Sequence, residues 1–472
     1  MRLLTLRRTR NISRYRRNYN VSLRCILSVI LIISLSLFSS SASPYLLPFI
    51  MQGKAKETTL VLPAAALPSS LSSSSSSEVP VEYSTPDGEG RDSSNAGAGD
   101  DGSHCVNYSP SERLITISCK SAVSITDVYN QLNSDHGNNG ILDKDQQQPG
   151  VWILNANLTI NSGATLNIDS KDTKWLKIVS DGKTLAYAIR VYGSLKIDSV
   201  KLTSWNPQTN DHVQTYGSRE TSGKITHVGA PRPYIRIEEP SDVRAIGGTT
   251  NITNSEIAYL GYEGGWGTGT SGIHYHMAGH GSVIRNNNIH HLYFGFYSVG
   301  VGGMVIENNR IHDMGHYGID PHTGTHDMII RNNTVYGVNG TAIICSLDCY
   351  NILFEKNIVY NNTGSGIAFS RNVTNSIAKD NYIYDQPRAI HISKSHNNEI
   401  YNNTISNSTS AISLISGSSS NKIYDNNIAN AKNPLKIDPG LEQRNTIYAN
   451  RIVNDTSTTA TASSSNTPPE QR

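Results

Sequence analysis

Residues 317–323, Tyr-Gly-Ile-Asp-Pro-His-Thr, set an acid and an imidazole either side of a proline. Asp320 and His322 are the pair that could move a proton. A histidine with an ordinary pKa of about 6.5 is a usable base at neutral pH. Taking a proton from a carbon next to a carboxylate builds charge on the carboxylate oxygens, and a cation held in place offsets that charge. Arg371 and Lys394 are the candidate cations. Tyr297 and Tyr262 could stack on a ligand or donate a proton, with core packing as the alternative. Proline inside a strand forfeits a ladder hydrogen bond. Asp-Pro-His therefore reads either as a breaker on an exposed face or as a site.

The elements that would position these residues are a repeat. Ile284-Arg-Asn-Asn-Asn-Ile289 recurs as Ile306–Ile311, Ile330–Val335, Phe354–Val359, Ala378–Ile383, Ile400–Ile405, Ile423–Ile428 and Ile447–Ile452. The asparagine two places before the last aliphatic falls at 287, 309, 333, 357, 381, 403, 426 and 450. A spacing in the low twenties means one coil per repeat. The leucine consensus of leucine-rich repeats and the 3.6-residue period of helical repeats are both missing. A second marker, a small residue before an aliphatic or aromatic, recurs at Gly295-Phe296, Gly318-Ile319, Ala342-Ile343, Gly366-Ile367, Ala389-Ile390 and Ala411-Ile412. The expected fold is all-β, a right-handed parallel β-helix over 151–453, with two phased strands per coil and an inward asparagine ladder.

Side chains alternate along a strand, so the residues one and three places after the aliphatic share an outer face. The first set is Tyr297, Asp320, Ile344, Ala368, His391 and Ser413; the second includes Val299, His322, Ser346, Ser370 and Ser393. One place further lie Thr323, Leu347, Arg371 and Lys394. The expectation is a groove with Tyr297 one coil above Asp320 and His391 three coils below. Before the regular repeats, Glu263–Gly272 exceeds the period and must leave the coil as a loop, a common wall of a binding face. His274, His276 and His280 follow it; without a paired carboxylate they suggest groove lining rather than a metal. His326 is read as a partner behind the base or as a solvated turn residue.

The ends differ in composition. Residues 1–44 join an arginine-rich start to a short apolar run beginning at Cys25 and a Ser/Ala tail. This is the pattern of an export signal, either cleaved or retained as a membrane anchor through residues 25–50. A low-complexity linker, 45–104, and a tail, 454–472, lack the apolar residues needed for a core. In 105–150, the spacing of Ile125, Val128, Tyr129 and Leu132 predicts a helix over 124–133 that caps the first coil. Four cysteines remain beyond Cys25, and Cys105 with Cys119 is the better disulfide candidate, flanking a short hairpin. Cys345 and Cys349 could bridge only if their turn brings them close. Asn-x-Ser/Thr sequons at 157, 251, 332, 361, 372 and 402 permit glycosylation. A net charge of +2 gives no case for nucleic acid.

The runs Gly295-Phe-Tyr297, Tyr317-Gly-Ile-Asp-Pro-His322, Ile329-Ile-Arg-Asn-Asn-Thr-Val-Tyr-Gly337 and Gly366-Ile-Ala-Phe-Ser-Arg-Asn372 resemble the periplasmic-type mannuronan C-5 epimerases. Ser204-Trp-Asn, Arg232-Pro-Tyr-Ile235 and Leu260-Gly-Tyr262 continue the likeness in the same order, over roughly 185–455. The resemblance implies a right-handed β-helix of carbohydrate-binding, sugar-hydrolysis-like repeats. It implies His322 as the base that removes the C-5 proton, Asp320 as its motif neighbour and an arginine that neutralises the sugar carboxylate. Leu347 stands where the family's usual arginine falls, Arg371 matches another family arginine, and Thr323 replaces the last Asp of the motif. Catalytic candidates are therefore His322, Asp320 and Arg371, with Tyr297, Tyr262, Lys394, His391 and His326 binding substrate. The expected partner is an anionic polyuronate, acted on by an exported monomer without cofactor, metal or calcium. Polysaccharide lyase chemistry and a non-catalytic glycan-binding β-helix are the competing functions. A glycosidase would need a second carboxylate, and Asp348 is a poor one.

Overall fold

Each coil closes because one residue per turn takes a left-handed backbone. In the computed structural model, which describes residues 104–453 apart from 138–139, 216, 220–224, 229, 241–246 and 265–268, the residue before each ladder asparagine has positive φ. These residues are Asn286 (59°), Asn308 (56°), Asn332 (53°), Lys356 (53°), Asp380 (56°), Asn402 (53°), Asp425 (54°) and Ala449 (51°). Asn and Asp tolerate this conformation better than most residues. The bend divides what reads in sequence as one strand. Val283–Arg285 and Asn288–His290 are separate strands on separate sheets. The coil therefore carries three strands where the sequence suggested two.

The three sheets hold 13, 12 and 13 strands. They are parallel except where Val106–Ser109 pairs with Leu114–Ile117 and Leu142–Lys144 with Val151–Leu154. Coil follows coil in register: Phe294–Val299 lies against Tyr317–His322, then Ile343–Ser346, Ser365–Ser370, Arg388–Ser393, Ser410–Ile415 and Asn433–Ile437. This is the groove sheet. Inside, stacked aliphatics such as Ile319, Ile343, Ile367, Ile390 and Ile412 form a continuous buried core.

At the N-terminal end, helix α1, Ile125–His136, runs three residues past its predicted end. Ser124 caps it, accepting from the Asp127 amide while the Asp127 carboxylate accepts from the Ser124 amide. Ile125, Val128 and Leu132 join the core. Cys105 and Cys119 are joined in a disulfide across the first hairpin, whereas Cys345 and Cys349 are free and buried. Among the described residues no helix is long and apolar enough to cross a membrane. The regions read as export signal or anchor (1–44), linker (45–103) and tail (454–472) lie outside the described residues.

The ladder runs unbroken. Each asparagine side-chain oxygen, from Asn309 to Asn450, accepts from the backbone and side-chain amides of the asparagine one coil before, at 2.8–3.2 Å. Each side-chain NH2 also reaches a carbonyl of the preceding coil, as Asn333 Nδ2 does to Ile306 O at 2.9 Å. Ser255 opens the series, its amide donating to Asn287 Oδ1 at 2.9 Å. Asn333→Ala would strand buried donors and acceptors on both neighbouring coils. Unpaired buried groups cost about 1–3 kcal/mol each, so urea unfolding should show a loss of at least about 2 kcal/mol.

Candidate active site

The groove sheet places Asp320 beside Tyr297 and His322 beside Val299 on the preceding coil, and His322 beside Ser346 on the next. Asp320 and His322 thus share one face, two positions apart. Pro321 sits between them, and ladder pairing to Ile343–Ser346 lapses at Asp320 and Pro321. The Cys349 thiol donates to the Pro321 carbonyl at 3.4 Å. The proline therefore interrupts the sheet locally while its carbonyl stays partnered.

His322 is held at both nitrogens. Nδ1 is 2.6 Å from Thr323 Oγ1, and Nε2 is 3.4 Å from Arg371 Nη2. With Nδ1–H donating to the threonine, the Nε2 lone pair is the one that Arg371 Nη2 meets, and it is released for a proton when the guanidinium turns to an anion in the groove. Thr323, Leu347 and Arg371 occupy the same turn on successive coils. Their amides donate to Ser346, Ser370 and Ser393 carbonyls. Arg371 (φ +64°) reaches back over Leu347 to donate to Ser346 Oγ. Burial, then the Arg371 charge, lowers His322 to about 4.

Asp320 is buried at 1 % exposure, and its Oδ1 has no partner. Burial raises its carboxyl well above the usual range, and the Arg371 charge opposes that rise. It is a buried acid and not the exposed carboxylate that an outer face suggested. Burial and then Asp320 push the Tyr297 phenol up as well. Its ring centroid lies 5.4 Å from that of His322 and 4.8 Å from that of His274.

These groups line one cavity of about 740 Å³, within the range of small-molecule sites. Tyr262, Glu263 and residues 269–271 of the inserted loop form one wall; Phe294, His316 and Tyr317 form another. Tyr317 stacks on His316 at 3.9 Å and on Phe294 at 5.3 Å. Burial raises the Tyr262 phenol. His274 and His276 line the cavity, but His280 instead accepts from the Gly302 amide at 3.2 Å. Among the described residues no cluster of three or more His, Cys, Asp or Glu could hold a metal.

Three sequence candidates fall elsewhere. His326 stacks on Tyr350 at 4.8 Å and meets Asp327 at 2.7 Å, outside the cavity. The ring nitrogens of His322 meet Thr323 and Arg371, and His326 is not among their partners. His391 lies on the same face but further down the sheet, and Lys394 stands on the turn after its strand; neither lines the cavity. Asp348 is exposed and accepts from Asn372 Nδ2 at 2.7 Å, so it pairs with no catalytic carboxylate. Sequence reasoning missed Ser346, whose column position was visible but whose contact with Arg371 was not. It also missed the wall of Phe294, His316 and Tyr317.

Residues 233–445 match the family described as periplasmic copper-binding protein (NosD). A mannuronan C5-epimerase of Pseudomonas fluorescens is 27% identical over 191 residues, 38% of this chain. The chain spans about a third (32%) of that relative's length. The crystal structure of the periplasmic alginate epimerase AlgG superposes with a TM-score of 0.54 at 21% identity, covering 73% of this chain and 85% of the other. A single-substitution mutant of AlgG gives 0.55 at 21% identity, covering 72% and 85%. The chain is similar in sequence to a mannuronan C5-epimerase and shares the fold of AlgG. Leu347 leaves its turn without a cation, and Arg371, one coil on, donates to Ser346 Oγ. Thr323 supplies a hydroxyl to His322 where an aspartate would supply a carboxylate.

The neutral histidines make stability depend on pH. Burial holds His322 and His391 at about 4 and His274 at about 3. All three stay uncharged in the folded chain, yet protonate in the unfolded chain below about pH 6.5. Between those limits the unfolded state binds more protons, and stability falls as pH drops. Asp320 and Asp143 oppose, since a raised carboxyl holds its proton more tightly in the folded chain. With His212, His291 and His312 lowered as well, six histidines stand against two acids, so Tm should fall from pH 7 to pH 4.5 in a thermal scan.

Proposed function

We propose that the protein is an exported mannuronan C-5 epimerase, converting β-D-mannuronate to α-L-guluronate within a polymer. The observation that carries the reading is the placing of Arg371 Nη2 3.4 Å from His322 Nε2, with Ser346 Oγ as a further partner of the guanidinium, inside the cavity. A uronate carboxylate bound by Arg371 and Ser346 presents its C-5 hydrogen to a neutral imidazole. His322 Nε2 takes that proton while Thr323 fixes the tautomer. The C5–H electrons move into the carboxylate, and Arg371 stabilises the resulting dianion. Burial of Asp320 beside Tyr297 and His322 raises its carboxyl, which favours a hydrogen-bond donor over a competing charge. Tyr297 and Tyr262, kept protonated by burial, are the candidate acids that return a proton from the opposite face. The relatives' substrate and their periplasmic setting support polyuronate and export for this chain.

Incubation with polymannuronate in D2O tests the reading. Deuterium should enter C-5 with guluronate appearing by NMR and without an unsaturated product. An unsaturated uronate would instead mean β-elimination, and binding without exchange would mean a non-catalytic protein. His322→Ala should lower the exchange rate at least about 10²-fold. Arg371→Lys should not restore the wild-type rate, because it loses the fork that spans carboxylate and serine. Thr323→Val should slow turnover while leaving Tm little changed. Because the base is held at about 4, kcat/KM should rise with pH through about 4 and be flat on that limb by pH 6.

A further inference from the structure

The groove sheet does not end at the cavity. Beyond Ile344 it continues through Ser365–Ser370, Arg388–Ser393, Ser410–Ile415 and Asn433–Ile437, strands that contain no Asp or Glu. Their outward residues are small or cationic. Ala368, His391, Ser413 and Lys436 continue the column of Asp320, each beside the next. Arg388 opens the same strand as His391, and Lys394 stands exposed on the turn after it. His391 Nδ1 and Ser413 Oγ are both buried without a hydrogen-bond partner, and Ser413 is only 1% exposed. Polar atoms stripped of water and left unpaired in a native fold call for an explanation. Here two of them lie side by side between two exposed cations.

We propose that Arg388, His391, Ser413 and Lys436 form a second anion station, which takes a carboxylate of the same polyuronate. It runs from three coils (His391) to five coils (Lys436) beyond Asp320, about 14–24 Å along the sheet. The Ser413 hydroxyl and the imidazole supply hydrogen bonds, and Arg388 and Lys436 supply charge. The inference rests on the proposed function for the identity of the polymer. It adds that the chain is gripped beyond the reacting residue, so that long substrates bind better than short ones.

The test compares the full chain with R388A/K436A on long polymannuronate and on a short mannuronate oligomer that fills the cavity alone. Both replaced side chains are exposed, and Tm reports that the fold is kept. The ratio of KM for the long polymer to KM for the oligomer should rise about fivefold or more, the scale of losing two solvent-exposed ion pairs. Added salt should shrink the difference, and R388K/K436R should retain the wild-type ratio. An unchanged ratio overturns the station. A separate arm titrates fluorescently labelled polymannuronate into His322→Ala protein with and without R388A/K436A. Weaker binding in the triple variant supports the station even if no turnover is ever seen; equal binding overturns it. Absence of C-5 exchange by the wild type counts against the epimerase reading alone.

Discussion

A single amide, repeated once per coil, holds this protein in register. Each ladder asparagine accepts from the coil before through Oδ1 and donates onward through Nδ2. Because the amide is both donor and acceptor, the same residue can satisfy itself indefinitely along the axis. A slip by one residue would reverse every side chain between core and face. It would also break the amide pairs. The ladder and the aliphatic stack therefore select the same register, and that register places Asp320 and His322 on the groove side together.

Burial dominates the electrostatics of the site. It lowers the His322 imidazole and raises the Asp320 carboxyl, and the Arg371 charge pushes both downward. An uncharged imidazole is the useful form of a base. The Arg371 guanidinium is the cation beside it in the cavity. The arrangement depends on walls from distant parts of the chain. Without residues 262–264 and 269–271 on one side and Phe294, His316 and Tyr317 on the other, the same residues would face open water.

The turn that follows each groove strand shows how the chemistry can move between coils. Thr323, Leu347 and Arg371 are equivalent in backbone hydrogen bonding, so a side chain of sufficient length on one coil can serve its neighbour. Arg371 reaches past Leu347 because coils are only about 5 Å apart.

The sequence alone determined the solenoid, its register and the shared face of Asp320 and His322, since each coil writes its inside and outside in the same order. The asparagine column, the aliphatic column and the helix capped at Ser124 were legible for that reason. The third strand per coil was not, because a left-handed residue such as Lys356 carries no distinctive signal and turns a continuous run into two strands. Nor could sequence show that Asp320 is buried, that Ser346 holds Arg371, or that His326 turns outward to Tyr350. Burial and pairing there depend on which coils and loops meet in space. Only the tertiary structure decides what stands two coils away across a wall.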